Sequence, residues 1–249
     1  MRRLLPILVL GVATVGLLAP QSAEAQLYGV VSESPQTMQI EFKFGPYTPN
    51  IDQSGGGDTY ATIFQDPMFM FRTQLDFQVY RGIGTIGIGG EIGIATVDGA
   101  SSLDANNFSG SSDTTTFWMV PLALTVSYNF DYLATRYDIP IVPYVQAGLD
   151  YYLWWFTDDT GATSSAPDVA AGKNRPGVGG TYGWHATVGL KILLDVFAPQ
   201  MAQTFDIEIG VNNSYIFAQL LYASVNDFGK EGSWDLGELT GLYGIAFEF

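Results

Sequence analysis

The side chains able to do chemistry are few, and most are carboxylates. His185 is the single histidine in 249 residues, and there is no cysteine. A lone His could act as a general base beside a nucleophile or an acid. No motif fixes a Ser near it, however, and it stands between Trp184 and Ala186. The expected role is an interior or rim polar residue without catalysis. The absence of Cys excludes disulfides, thiolate metal sites and cysteine nucleophiles. Asp52, Asp58, Asp158, Asp159 and Asp227 place carboxylates in Gly- and Ser-rich stretches, where Ca²⁺ ligation is conceivable. The Asp-x-Asp/Asn-x-Asp/Asn-Gly spacing never occurs, so a solvated acidic surface is the better reading, and no cofactor or metal is implied.

A second set of charges recurs inside apolar stretches: Glu41, Lys43, Arg72, Asp76, Glu91, Asp150, Lys191 and Glu208. Their neighbours on both sides are mostly Ile, Leu, Phe or Tyr. Charges spaced this way share one face of an extended chain, because side chains alternate across a strand. Buried charges need partners. A tight connection centred near residue 199 would place Lys191 opposite 207–208 and predicts a Lys191–Glu208 pair. Arg72 is expected diagonal to Glu91, with Gly87, Gly89 and Gly93 making room for Arg72 and Gln78.

Composition limits what such strands can be. Charged residues are 14% of the chain and aromatics 14%, with 29 Gly. Ordinary soluble domains carry about 25% charged residues. The 10 Lys+Arg against 25 Asp+Glu give −15, a balance that disfavours nucleic acid, whose phosphates need clustered cations.

Period-2 alternation defines eight segments. Met38 to Phe44, Phe69 to Val79, Ile86 to Ile94 and Trp118 to Phe130 form the first four. Val145 to Leu153, Tyr182 to Leu194, Phe205 to Val211 and Leu239 to Phe249 form the rest. In each, one face is apolar and free of charge. Connections alternate between short (near Arg81-Gly82, 131–139 and 195–203) and long (45–66, 99–113, 157–180 and 224–236). An even strand number with alternating short turns and long loops predicts an all-β, eight-stranded antiparallel up-and-down transmembrane β-barrel. Phe69, Phe71, Trp118, Trp155, Tyr182 and Trp184 near the loop side, with Phe130, Phe205 and Phe249 near the turn side, fit interfacial aromatic girdles. Pro121 removes a ladder donor from a sheet without edges, and a bulge is expected there.

The N-terminus reads as a cleavable export signal. Arg2 and Arg3 precede an uncharged, mostly apolar run from Leu4 to Ala19, and Ala23-Glu24-Ala25 supplies a small-x-small site before Gln26. The run is shorter than the ~20 residues a spanning helix needs. This divides the chain into residues 1–25, a signal peptide, and 26–249, the barrel domain. The mature chain would hold 8 basic and 24 acidic residues.

The C-terminus reads Tyr243-Gly244-Ile245-Ala246-Phe247-Glu248-Phe249. It resembles the terminal signal by which the barrel-assembly machinery recognises outer-membrane proteins, with Gly244, Phe247 and Phe249 matching and Leu242 departing from the usual polar residue. The segment Phe42-Lys43-Phe44-Gly45-Pro46-Tyr47-Thr48-Pro49-Asn50-Ile51-Asp52 resembles a family of small outer-membrane β-barrel proteins of myxobacteria and related Gram-negative lineages. The resemblance implies the outer membrane as location. Outer-membrane lipid, lipopolysaccharide and the assembly machinery are the expected partners. It carries no activity.

Eight strands enclose an interior that side chains fill, or that holds one small ligand. The expectation is therefore a non-catalytic structural or surface-interaction barrel with a filled lumen. A narrow channel or carrier for a small molecule is the alternative, and a lipid-modifying enzyme is the third reading.

Overall fold

The structure is a computed structural model that describes residues 36–55, 59–64, 66–100, 114–168 and 173–249. The expected signal peptide, with Ala23, Ala25 and Gln26, lies outside the described residues. In chain order the elements are β1 (Met38–Tyr47), α1 (Ile51–Gly55), α2 (Thr59–Ile63), β2 (Met68–Gly82), β3 (Gly84–Ala100) and β4 (Thr114–Asn129). They continue with α3 (Tyr132–Tyr137), β5 (Ile141–Thr157), β6 (Ser165–Asp168), β7 (Lys173–Pro176) and β8 (Val178–Leu193). The chain ends with α4 (Pro199–Ile209), β9 (Asn213–Val225) and β10 (Glu238–Glu248).

Eight strands close on themselves in the order β1-β10-β9-β8-β5-β4-β3-β2, all neighbours antiparallel, while β6 and β7 form a separate hairpin in the long β5–β8 loop. Closure satisfies the ladder and leaves no edge. The seam is β1 against β10, where Met38 N–H donates to Phe249 O at 2.9 Å and Phe249 N–H donates to Met38 O at 2.8 Å. The β2–β3 turn is tight, and Gly84 there takes φ +122°, a backbone suited to glycine.

Alternation sorts every barrel strand into two faces. Outward positions are largely exposed and apolar: Phe69 is 62% exposed, Leu124 71% and Leu149 63%. Inward positions are buried, and the lumen has layers. The loop-side layer is apolar, built by Tyr47, Met68, Met70, Phe117, Met119 and Tyr152. The polar residues follow, and beside their turn-side members Val142, Tyr144, Tyr215, Phe217 and Ala246 form a second apolar cluster.

Three expectations need correction. Phe205 to Val211 is not a strand: residues Pro199–Ile209 form α4, and the seventh barrel strand is β9. Pro199 near the helix start and Gly210 at its C-cap, φ +72°, are ordinary helix-boundary residues. Phe205 therefore sits on a helix rather than in a strand girdle. The connection expected to be short at 195–203 instead spans 194–212. Finally, no bulge lies at Pro121. The β3–β4 register is the same on both sides, Ile92 opposite Leu122 and Ala95 opposite Met119, with only the intervening pairs missing. Gly93 lies opposite, where an added Cβ would meet Pro121 Cγ at 3.0 Å, so the missing side chain accommodates the ring. The register shift is in β2, between Gln78 and Tyr80.

Candidate functional site

The polar layer of the lumen contains a chain of ion pairs. Neighbouring strands bring it together: Lys43 pairs in register with Arg72, and Arg72 with Gly93, one step from the Glu91 position on the same face. Starting on β8, Lys191 Nζ lies 2.7 Å from Glu41 Oε1. Glu41 Oε2 lies 3.2 Å from Lys43 Nζ, and Lys43 Nζ lies 2.6 Å from Glu91 Oε2. Glu91 also pairs with Arg72, and Arg72 Nη2 reaches Asp150 Oδ1 at 3.7 Å. His185 Nδ1 ends the chain 2.8 Å from Asp150 Oδ2. A carboxylate only accepts, so Nδ1–H donates. The sequence of signs alternates from Lys191 to Asp150, three cations against three carboxylates. Every member is buried.

Hydrogen bonds and rings fill part of the remaining directions, while Arg72 Nε and Gln146 Nε2 are buried without a hydrogen-bond partner. Gln39 Nε2 donates to Glu41 at 2.9 Å, and Lys43 also donates to Gln74. Asp76 stands beside the chain, accepting from Gln74 Nε2 and Ser127 Oγ, each at 2.8 Å. Lys191 Nζ lies 4.6 Å from the Tyr144 ring centre, and the Arg72 guanidinium 5.9 Å from that of Tyr152. Such contacts matter because a buried charge without compensation is costly.

Seven of the eight charges singled out in the sequence thus face the lumen. Glu208 does not: it is exposed on α4. On β9 the position opposite Lys191 is Phe217, and the Lys191 partner is Glu41 from β1. The glycine accounting also differs. Gly93 clears the Arg72 stem, whereas Gly89 clears Asp76, whose Oδ1 would lie 2.2 Å from an added Cβ. Gln78 turns instead to Glu248, donating at 2.6 Å.

Two features escaped sequence reasoning. Glu248 gathers Gln78, Arg81, Asn213 and Tyr215 at the turn side, tying β10 to β2 and β9. The loop side is closed by aromatics: Phe64 lies 5.8 Å from Phe117, and Trp234 stacks on Trp154 at 4.4 Å. Inward apolar residues at 68, 70, 117 and 119 were the available signal for that layer. Chemically, the arrangement fills space and neutralises charge. A void among Gln39, Asn129 and Glu248 measures about 10 Å³, roughly one water. Among the described residues no group of His, Asp and Glu is arranged to hold a metal ion.

No family model matches the chain, and no curated protein matches it. Solved structures do. The chain is similar to Neisserial surface protein A (NspA), at 14% identity and a TM-score of 0.43, covering 86% of this chain and 95% of that one. It is similar to the outer membrane protein OprG from Pseudomonas aeruginosa, at 14% identity and a TM-score of 0.45, covering 86% and 96%. It is also similar to Ail, the attachment invasion locus protein of Yersinia pestis, at 10% identity and a TM-score of 0.38, covering 86% and 97%. No residue role is carried across from them.

Proposed function

We propose that this chain is an integral outer-membrane β-barrel with a lumen closed by its own side chains, serving a structural or surface-interaction role without catalysis. The observation that carries the reading is the inversion of polarity. Phe69, Phe77, Leu124, Val145, Leu149, Val188 and Leu220 face outward and exposed, while Glu41, Lys43, Arg72 and Lys191 are buried. A soluble monomer rarely exposes an apolar patch beyond a few hundred Å². In lipid the same belt is matched to its solvent, and a closed ladder leaves no backbone group unpaired by an edge. Strands of 10 to 17 residues meet or exceed the ~9–11 needed to span. The N-terminal export pattern and the terminal Phe249, with Gly244 and Phe247, support the Gram-negative outer membrane and delivery by its assembly machinery. Lipid and lipopolysaccharide are then the belt's partners, and the loops after β1, β3, β5 and β9 face outside.

Membrane fractionation together with planar-bilayer recording tests this. The protein is expected in the outer-membrane fraction and to give essentially no conductance. Recovery from the soluble periplasm would overturn the membrane assignment. Stable single-channel steps would overturn the filled lumen in favour of a narrow conduit.

A further inference from the structure

Gly90 is a glycine without a local reason. It points outward from β3, between Leu75 on β2 and Leu124 on β4. A Cβ built there would meet only Ala123 O, at 3.6 Å, and its backbone is not left-handed. On the same strand Gly87, Gly89 and Gly93 would each place a Cβ within 3.0 Å of a neighbouring atom. Glycine also weakens a strand interior. The missing side chain opens a groove of about 590 Å³ in the outer wall.

The groove has the shape of a chain rather than of a globular knob. Leu124 and Leu149 form one wall, with the gap at Gly90, and Ile92 and Leu122 form the other. It ends at Tyr151 and Tyr182, whose rings lie 4.4 Å apart. Its lining comes from β2, β3, β4, β5 and β8, four steps across the sheet, or roughly 19 Å at ~4.8 Å per strand. One leaflet of a bilayer core is about 15 Å deep. Apart from Thr73, the outward positions around it are apolar or aromatic, so the groove is continuous with the exposed belt. A protein partner would need on the order of 800 Å² per side and a polar rim.

We infer that the groove over Gly90 seats a single acyl chain of a membrane lipid, held along the outer wall as a bound rather than an exchanging lipid. This rests on the membrane reading above. The test is native mass spectrometry of the full chain released from vesicles of phosphatidylethanolamine and lipopolysaccharide. Gly90→Leu fills the groove, and Gly241→Leu, at another uncrowded glycine position, is the control. Unfolded material is excluded by circular dichroism of each variant, and Gly90→Ala serves if Gly90→Leu misfolds. The expected result is one retained lipid on the unaltered chain and on Gly241→Leu, reduced about tenfold by Gly90→Leu, the scale of two unseated methylenes. Equal retention by both variants, or none on the unaltered chain, overturns the site. A dimer lost on Gly90→Leu would assign the groove to a second copy instead. Failure to enter the vesicles at all would count against the membrane reading, not the groove.

Discussion

Lys191 on β8 reaches Glu41 on β1, three strands away around the sheet, with Nζ 2.7 Å from Oε1. The pair crosses the lumen and ties together parts of the wall that share no ladder. Replacing Lys191 by Met would leave Glu41 with Lys43 as its one cation, beside the Gln39 amide. Breaking one member of a buried pair costs about 3–5 kcal/mol, and the surviving Lys43 contact places the loss near the lower end. Urea unfolding of the barrel in lipid vesicles is expected to show this loss. Much of it should return in the double variant Lys191→Met, Glu41→Gln, which removes the orphaned charge. An unrecovered double variant would mean that Lys191 acts through its packing on Tyr144.

Glu208 supplies the opposite expectation. It is exposed on α4 and makes no part of the lumen chain. Glu208→Gln should therefore change unfolding free energy by less than about 0.5 kcal/mol, as surface substitutions generally do. A loss comparable to that of Lys191→Met would mean that the β8–β9 connection packs differently.

That contrast shows where the sequence was legible. Facing was readable wherever one face was polar: Gln39, Glu41 and Lys43 alternate with apolar residues, and so do Arg72, Gln74 and Asp76. β9 offered little such signal: Gln219, which accepts from the Tyr144 hydroxyl, is its one inward polar residue between Tyr215 and Val225. Its other inward residues, Tyr215, Phe217, Leu221, Ala223 and Val225, are as apolar as its outward ones, because they belong to the two apolar clusters of the lumen. Residues 205–211 alternated well by chance of helical phase, with Pro199 and Gly210 as the overlooked boundaries. The ion chain was legible as a set of inward charges. Its pairing was legible only for Arg72 and Glu91, on neighbouring strands joined by a tight turn; the Lys191 partner was not, since a strand shifted by several residues changes every cross-lumen partner.

Gly89 and Gly90 are adjacent in sequence and opposite in demand. A Cβ at Gly89 would fall 2.0 Å from Leu75 O and 2.2 Å from Asp76 Oδ1, so backbone must move. Gly89→Ala should cost about 1–3 kcal/mol, the usual scale of overpacking. Gly90→Ala, with 3.6 Å to its nearest neighbour, should stay within about 0.5 kcal/mol. Parallel unfolding curves decide this, and equal losses would contradict the assignment of inward and outward faces on β3.

Asp195, just beyond the end of β8, gives a pH dependence. Its Oδ1 accepts the Ser214 N–H at 3.2 Å, and burial together with nearby Glu248 raises its carboxyl above the ordinary range. A raised carboxyl contributes stability that is fully present below the unfolded value of about 3.9 and is lost as pH rises through the folded value. At neutral pH the ionised form is therefore the disfavoured one. Asp195→Asn keeps an acceptor for Ser214 and removes the charge, so it should raise the unfolding midpoint at pH 7.5. The gain should vanish below about pH 3.9, where Asp195 is itself protonated in both states. Half-exposure of this turn lets solvent screen the effect, which keeps it small. Urea midpoints at both pH values provide the check. A variant less stable at pH 7.5 would show that the ionised carboxylate, through Ser214, holds the β8–β9 connection in place.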